Sequence, residues 1–456
     1  MTASEARKVF SIPAGVPFLP TLAQALLAGN LVPGFSFDGD PLALASVTIF
    51  VPTRRAAREL RSVFVDLAGG RSAILPTIQA LGEFDEDELL FEPGDPAVLD
   101  IPPPVASLDR LLLLAPLVRA WKTRLPSHVA ALFDEDVIVP ASASDAIWLA
   151  RDLAALMDEV ETEGSDWSKL GTLVSGELAN WWQVTLDFLE IVTSTWPKLL
   201  AERDRSNPAA HRNVMILAEA ARLNRNPPAG PVIAAGSTGS VPATAELLSV
   251  ISRLPNGAVV LPGLDMGLDD DAWSVIANAA PEPTALGHPQ FGLAKLLRKF
   301  GLRRRDVVEL GQAREPLALR LRLMSEALRP AETTERWVDG RSAFSETDVA
   351  SALSGVTLVE AATERDEALV IAIALRHAIA TEGKSAALVT ADRSLARRVS
   401  SELLRFGIRA DDSGGTQLAR TSPATLTRLL VETACRPGDP VAILSLLKHP
   451  LLCLGI

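Results

Sequence analysis

Apolar positions along the chain alternate between short dense runs and longer stretches of helical spacing. The run Val9–Ile12 meets Pro13, Ala14, Gly15, Val16 and Pro17, and from Leu19 to Leu27 apolar residues recur at helical intervals. This predicts a strand, a loop and a helix. A second unit repeats the order: Ser46–Val51 reads as a buried strand, Thr53 as a helix N-cap, and Arg54–Leu67 as an amphipathic helix. Two such units in succession predict a parallel sheet.

The pattern then changes. Residues 93–104 hold five prolines, and from there to about residue 225 the periodicity is helical, with no strand-like run. A helical insertion is expected. Its heptad-like stretches Leu108–Trp121, Ala146–Val160 and Leu178–Leu200 carry Trp121, Trp148, Trp181, Trp182 and Trp196, which read as core anchors. Strand-like runs return at Pro231–Ala235 and Ala258–Leu261, separated by the loop Gly236–Ser240 and a helix over Ala243–Leu254. After an arginine-rich stretch, Val356–Glu360 and Ser385–Thr390 read as strands and Arg365–Thr381 and Ser394–Phe406 as helices, a second α/β domain.

Composition narrows the chemistry. The 456 residues are 48% hydrophobic and 22% charged, enough for two or three domains with real cores. The net charge of -12 excludes coating of nucleic acid by bulk charge, so any such contact needs a local basic patch. Cys435 and Cys453 cannot supply a disulfide framework or a four-cysteine metal site, which fits a reducing, cytoplasmic setting. The five histidines include no HExxH-type pair and tyrosine is absent. Arg7 and Lys8 before an apolar stretch imitate a secretory leader, but Pro13, Pro17 and Pro20 interrupt it, and no run of about 18 apolar residues could span a membrane.

The first loop lies where a nucleotide-binding sheet places its phosphate loop. Of the GxxxxGK[ST] requirements only Gly15 is present, the Lys is missing, and Pro17 and Pro20 remove N–H donors, so ATP hydrolysis is not expected there. Arg54, Arg58 and Arg61 fall on one face of a helix that begins directly after a strand, a pattern suited to a DNA backbone. It suits a solvated arginine face paired with Glu59 equally well, and both readings stand. Lys295, Arg298, Lys299 and Arg303–Arg305 form a second basic cluster of the same ambiguity. Gly236–Ser240 is a weaker candidate for a phosphate oxygen. The acidic groups Asp85–Glu88 and Asp265 with Asp269–Asp271 lack nuclease spacing and read as solvated loops.

Taken together, the segments IPAGVPFLPTLAQAL, VTIFVPTRRAARELR, VIAAGSTGSVPATAELL, GAVVLPGLD, HPQFGLAKLL and ALVTADRSLARRVSSELLRFGIRADDSGG resemble the N-terminal part of the AddB family, in its alphaproteobacterial form. AddB is the double-strand-break repair subunit of the AddAB helicase-nuclease. The resemblance covers nearly the whole chain. It implies an α/β fold of RecA-like, superfamily 1 helicase-like parallel-sheet domains with a large all-helical insertion. The first RecA-like domain would occupy 1–100 and, after the insertion at 101–225, resume over 226–345 with a linker. A second would occupy 346–435, and 436–456 would begin a further helical region. The family's nuclease domain would lie beyond, so the chain is expected to be a fragment or a truncated product.

By motif, the resemblance implies that Thr53, Arg54 and Arg55, with Arg58 and Arg61 on the same helix, hold the DNA backbone. A degenerate nucleotide site would comprise Gly15, Gly236, Ser237, Thr238, Gly239 and Arg393, with Ala235 and Gly236 standing where the Mg²⁺-binding acidic pair would be. It further implies an AddA-type partner carrying the motor with its ATP and Mg²⁺, no cofactor in this chain, contact with DNA ends and single-stranded DNA, a part in recognising the Chi sequence, and no membrane. Some family members hold an iron-sulfur cluster, which Cys435 and Cys453 alone cannot form. The competing expectations are an ATPase built around Gly236–Ser240 and a scaffold that binds AddA without touching DNA.

Overall fold

A computed structural model describes residues 8–453 apart from 36, 38–39, 41, 70–73, 82–100, 125–141 and 173–178. The chain divides into two compact units, 1–354 and 355–456.

Unit 1 is built on six parallel strands: β1 (Val9–Ile12), β2 (Thr48–Val51), β3 (Thr77–Ala80), β4 (Val232–Ala235), β5 (Gly257–Pro262) and β6 (Val308–Glu309), in the order β3-β2-β4-β5-β1-β6. Both faces are covered, and the side chains show it by strict alternation. Ile49 and Val51 of β2, Ile233 and Ala235 of β4, and Ala258 and Val260 of β5 point to one core, which receives helix α1 (Phe18–Leu27) and helix α2 (Arg54–Ala68). Phe50, Val232, Ala234, Val259 and Leu261 point to the other, against helices Pro208–Arg225, Pro242–Ile251 and Phe291–Phe300.

The two faces follow from the connections. β1 to β2 and β2 to β3 run one way along the sheet, carrying α1 and α2; β4 to β5 and β5 to β6 run the other way. Right-handed crossovers of opposite sense place their helices on opposite faces. The expected strands and helices of this unit are present within a few residues of their sequence limits, while β3 and β6 were not anticipated.

Helices Ser107–Arg124, Ala143–Thr162, Ala179–Glu190 and Trp196–Glu202 form the expected insertion between β3 and β4, with a core of its own around Leu114, Val118, Ala150, Leu153, Met157 and Trp196. Trp196 is buried and Trp121 packs against the same core with its ring edge on Phe188. Trp148 corrects the expectation: it stands 59% exposed, with Arg151 over its ring. The side chain of Trp181 lies outside the described residues, as do Asp85–Glu88.

Unit 2 contains helices Glu364–Ile379 and Arg393–Arg405, packed through Ala368, Ala372, Val399 and Leu403, and the helix pair Ser422–Cys435 and Pro440–Leu447. The runs expected as strands, Val356–Glu360 and Ser385–Thr390, have no regular secondary structure and join no ladder among the described residues. A strand exists only through a neighbour's N–H and C=O groups, and here no described segment supplies them. Leu358 and Val389 are accordingly exposed, whereas Leu388 turns inward onto the two helices. The boundary at residue 354 falls after the helix Glu346–Ala352, nine residues later than the expected 345.

Candidate nucleic-acid interface and degenerate phosphate loops

In an open parallel sheet, ligands are taken at the carboxyl ends of strands where neighbouring connections diverge. In unit 1 that divergence occurs between β2 and β4 and between β5 and β1. The loops leaving these four strands touch one another. A Cβ built on Gly236, after β4, would lie 3.4 Å from Phe18 Cε1 at the start of α1 and 3.5 Å from Pro52 Cδ after β2. One built on Gly263, after β5, would lie 3.4 Å from Ala14 Cβ after β1. The structure therefore brings Gly15, Thr53 and Gly236–Gly239 to one edge of the sheet.

Each loop ends differently. After β1 the chain turns through the Pro13 carbonyl, which accepts from Val16 N–H at 3.2 Å, and α1 starts without a side-chain cap. Gly15 holds φ at +78°, and the Leu317 side chain sits directly on it: a Cβ there would be 2.7 Å from Leu317 Cδ1. Leucine thus occupies the inside of a loop whose nucleotide-binding form would wrap a phosphate.

After β4, Ser237 Oγ accepts the Gly239 N–H at 3.2 Å, so that donor is already used. The Gly239 α-carbon faces Leu296 and Leu248, and the next helix opens with Pro242, which has no N–H. Thr238 is exposed beside Gly292 at the start of the helix Phe291–Phe300. At the end of β4 stand Ala235 and Gly236, with no carboxylate to hold a metal ion. Among the described residues no group of three or more His, Cys, Asp or Glu side chains is arranged for a metal.

The loop after β2 is different. Thr53 caps α2, its hydroxyl accepting from Ala56 N–H at 3.1 Å, and Ala57, Leu60 and Phe64 fasten the helix to the sheet. That spacing turns Arg54, Arg55, Arg58 and Arg61 outward beside the positive end of the helix dipole. Glu59 makes no ion pair among the described residues, so it is not the partner of this face, while Arg54 and Arg55 each make a further interaction of their own. Arg61 is a partial correction: its Nη2 donates to the Ile78 carbonyl at 3.0 Å, tying α2 to β3.

The second basic cluster is largely consumed by local structure. Lys299 pairs with Glu246 at 2.8 Å and Arg303 with Asp306 at 3.2 Å. Arg298 donates to the carbonyls of Ala277 and Asn278. Arg304 donates to the Asp265 carbonyl and Asp270 and lies 4.9 Å over the Trp273 ring. The acidic loop is not simply solvated: Asp269 caps the helix Asp270–Ile276 and binds the buried Arg329, and Asp271 binds Arg336.

Arg393 belongs to unit 2. Its guanidinium makes a paired contact with Asp412, at 2.9 and 2.7 Å, and that ion pair raises its already high pKa. Sequence reasoning missed Leu317 and Gln290. Gln290 bridges the loop after β5, accepting from Asp265 N–H at 3.0 Å and donating to the Gly263 carbonyl at 2.9 Å. Both lie far along the chain from the loops they contact, and no local pattern announces them.

No protein-family model matches this chain, and no curated protein matches it in sequence.

Proposed function

We propose that the chain is a helicase-like DNA-binding module of a double-strand-break repair helicase-nuclease of the AddAB type, working beside an AddA-type motor subunit and hydrolysing no ATP itself. The observation that carries this reading is the contrast at one sheet edge. The two loops positioned for phosphate are packed with leucine and proline, while the neighbouring helix keeps a hydroxyl cap and an outward arginine face. Such a face suits phosphate contacts that position a strand without reading its bases. Thr53, Arg54, Arg55 and Arg58 are the proposed contacts. A cytoplasmic location accords with this role, and no described helix is long and apolar enough to cross a membrane.

Fluorescence anisotropy with a labelled single strand and a duplex end, taken over a salt series, tests the reading. Arg54→Glu with Arg58→Glu is expected to lower the salt slope by roughly 1–2. An unchanged slope would instead favour a scaffold that binds only AddA. Saturable Mg²⁺-dependent ATP binding that disappears in Thr238→Ala would overturn the inactive-module reading.

A further inference from the structure

The insertion contains a buried polar joint at which four segments meet. Helix Ala143–Thr162 ends there with Glu161, and helix Pro208–Arg225 begins there after Asn207, which is 6% exposed. Asn207 Nδ2 donates to Glu161 Oε1, and Asn207 Oδ1 accepts the indole N–H of Trp196 at 2.9 Å. Asn213 Nδ2 donates to the Glu161 carbonyl at 2.8 Å, a second tie between the same two helices. The fourth segment enters through Pro102, whose carbonyl accepts from Ser206 Oγ at 2.6 Å and lies 3.1 Å from His211 Nδ1.

The Glu161 carboxylate is poorly served by this joint. Its second oxygen, Oε2, is buried with no hydrogen-bond partner among the described residues. It also sits at the negative end of a twenty-residue helix. The charged groups facing it are Arg110, from the helix Ser107–Arg124, and Asp158, one turn earlier on its own helix. Arg110 is engaged elsewhere, with both Asp158 oxygens at 2.8 and 2.9 Å and the Ala154 carbonyl at 3.1 Å. Helix Trp196–Glu202 presents the neutral Trp196 indole, and helix Pro208–Arg225 presents His211 as its titratable group.

We propose that Glu161 is a proton-operated latch, closing the joint between the insertion and the helix Pro208–Arg225 when neutral and loosening it when ionised. The neutral carboxyl keeps its acceptor for Asn207 and removes a charge from a site where Oε2 has no hydrogen-bond partner among the described residues. Desolvation holds this carboxyl above the ordinary range, against the opposing pull of Asn207, Arg110 and the Ala210 N–H. The helix Pro208–Arg225 carries Ile216, Ala220 and Leu223 into the sheet core, so the latch sits where the insertion meets the body of unit 1.

The sign follows from linkage. A group whose folded pKa lies above its unfolded value contributes stability below the unfolded value and loses it as pH rises through the folded one. Hydrogen exchange of the full chain, read by mass spectrometry over residues 205–216 and corrected for intrinsic rates, tests this sign. Protection is expected to be at least about threefold greater near pH 5 than near pH 8. Glu161→Gln, which fixes the neutral shape, is expected to remove that difference. Protection that is flat or falls on acidification in the wild-type chain would overturn the proposal whether or not the variant folds. An undiminished rise in Glu161→Gln would overturn it too, by assigning the titration to another group.

Discussion

Arg58 and Arg61 lie one turn apart on the same helix, and the structure assigns them different work. Arg58 is exposed, whereas Arg61 donates to the Ile78 carbonyl at 3.0 Å and so fastens α2 to the outer strand β3. Arg61→Ala removes one hydrogen bond from a charged donor, worth about 1.5–3 kcal/mol when shielded and about 1 kcal/mol at this exposed position. Spread over the unfolding entropy of a unit of this size, that shifts Tm by about 1–2 °C. Arg58→Ala should leave Tm unchanged. If Arg58 is the phosphate contact proposed above, its loss lowers the single-strand salt slope by about 0.7, so the fall in affinity from 50 to 200 mM salt shrinks by about two- to threefold. Differential scanning fluorimetry and salt-dependent anisotropy on the two variants read both quantities. A slope lowered equally by Arg61→Ala would refute the assignment, because the Arg61 guanidinium would then have to leave Ile78 and meet phosphate. An unchanged slope in Arg58→Ala would refute the arginine face as a phosphate surface.

Gly239→Val forces a β-branched side chain into φ +62° with its Cβ 2.7 Å from Leu296 Cδ1, itself buried, and is expected to destabilise unit 1 by about 3 kcal/mol in denaturant melts. Arg329→Met strips the buried partner from Asp269 and Glu326, each about a third exposed, and should cost about 2–3 kcal/mol, read by the same melts. Asp269 is partly desolvated, but Ala272 N–H, Arg329 and Arg336 outweigh that and hold its carboxyl below the ordinary range. Its contribution is therefore present above the unfolded value near 3.8 and lost as pH falls through the lower folded value, so Asp269→Asn should flatten the acid limb of a Tm-against-pH curve.

The arginine face illustrates how far a local pattern reaches. Spacing alone put Arg54, Arg58 and Arg61 together, and the Thr53 cap confirmed where the helix starts, because capping and helical periodicity involve neighbours within one turn. Spacing could not tell the exposed arginine from the one committed to Ile78, seventeen residues away. Nor could it show that four cations of the second basic cluster are held by Glu246, Asp306, Asp265, Asp270 and the carbonyls of Ala277 and Asn278.

The sequence by itself determined the strands with strong apolar runs, the insertion between them, the lack of a lysine in the loop after β1 and of an acidic pair at Ala235 and Gly236 at the end of β4. These rest on residue identity and on contacts within a few positions. The tertiary structure decided the rest. It recruited Thr77–Ala80 and Val308–Glu309 as edge strands, pieces too short to carry a period of their own. It left Val356–Glu360 and Ser385–Thr390 without a ladder among the described residues, although their patterns are as strand-like as β4. It also placed Leu317 on Gly15, across some 300 residues of chain. A hydrophobic period can propose a strand, but only a neighbouring backbone makes one, and only packing decides what fills a loop.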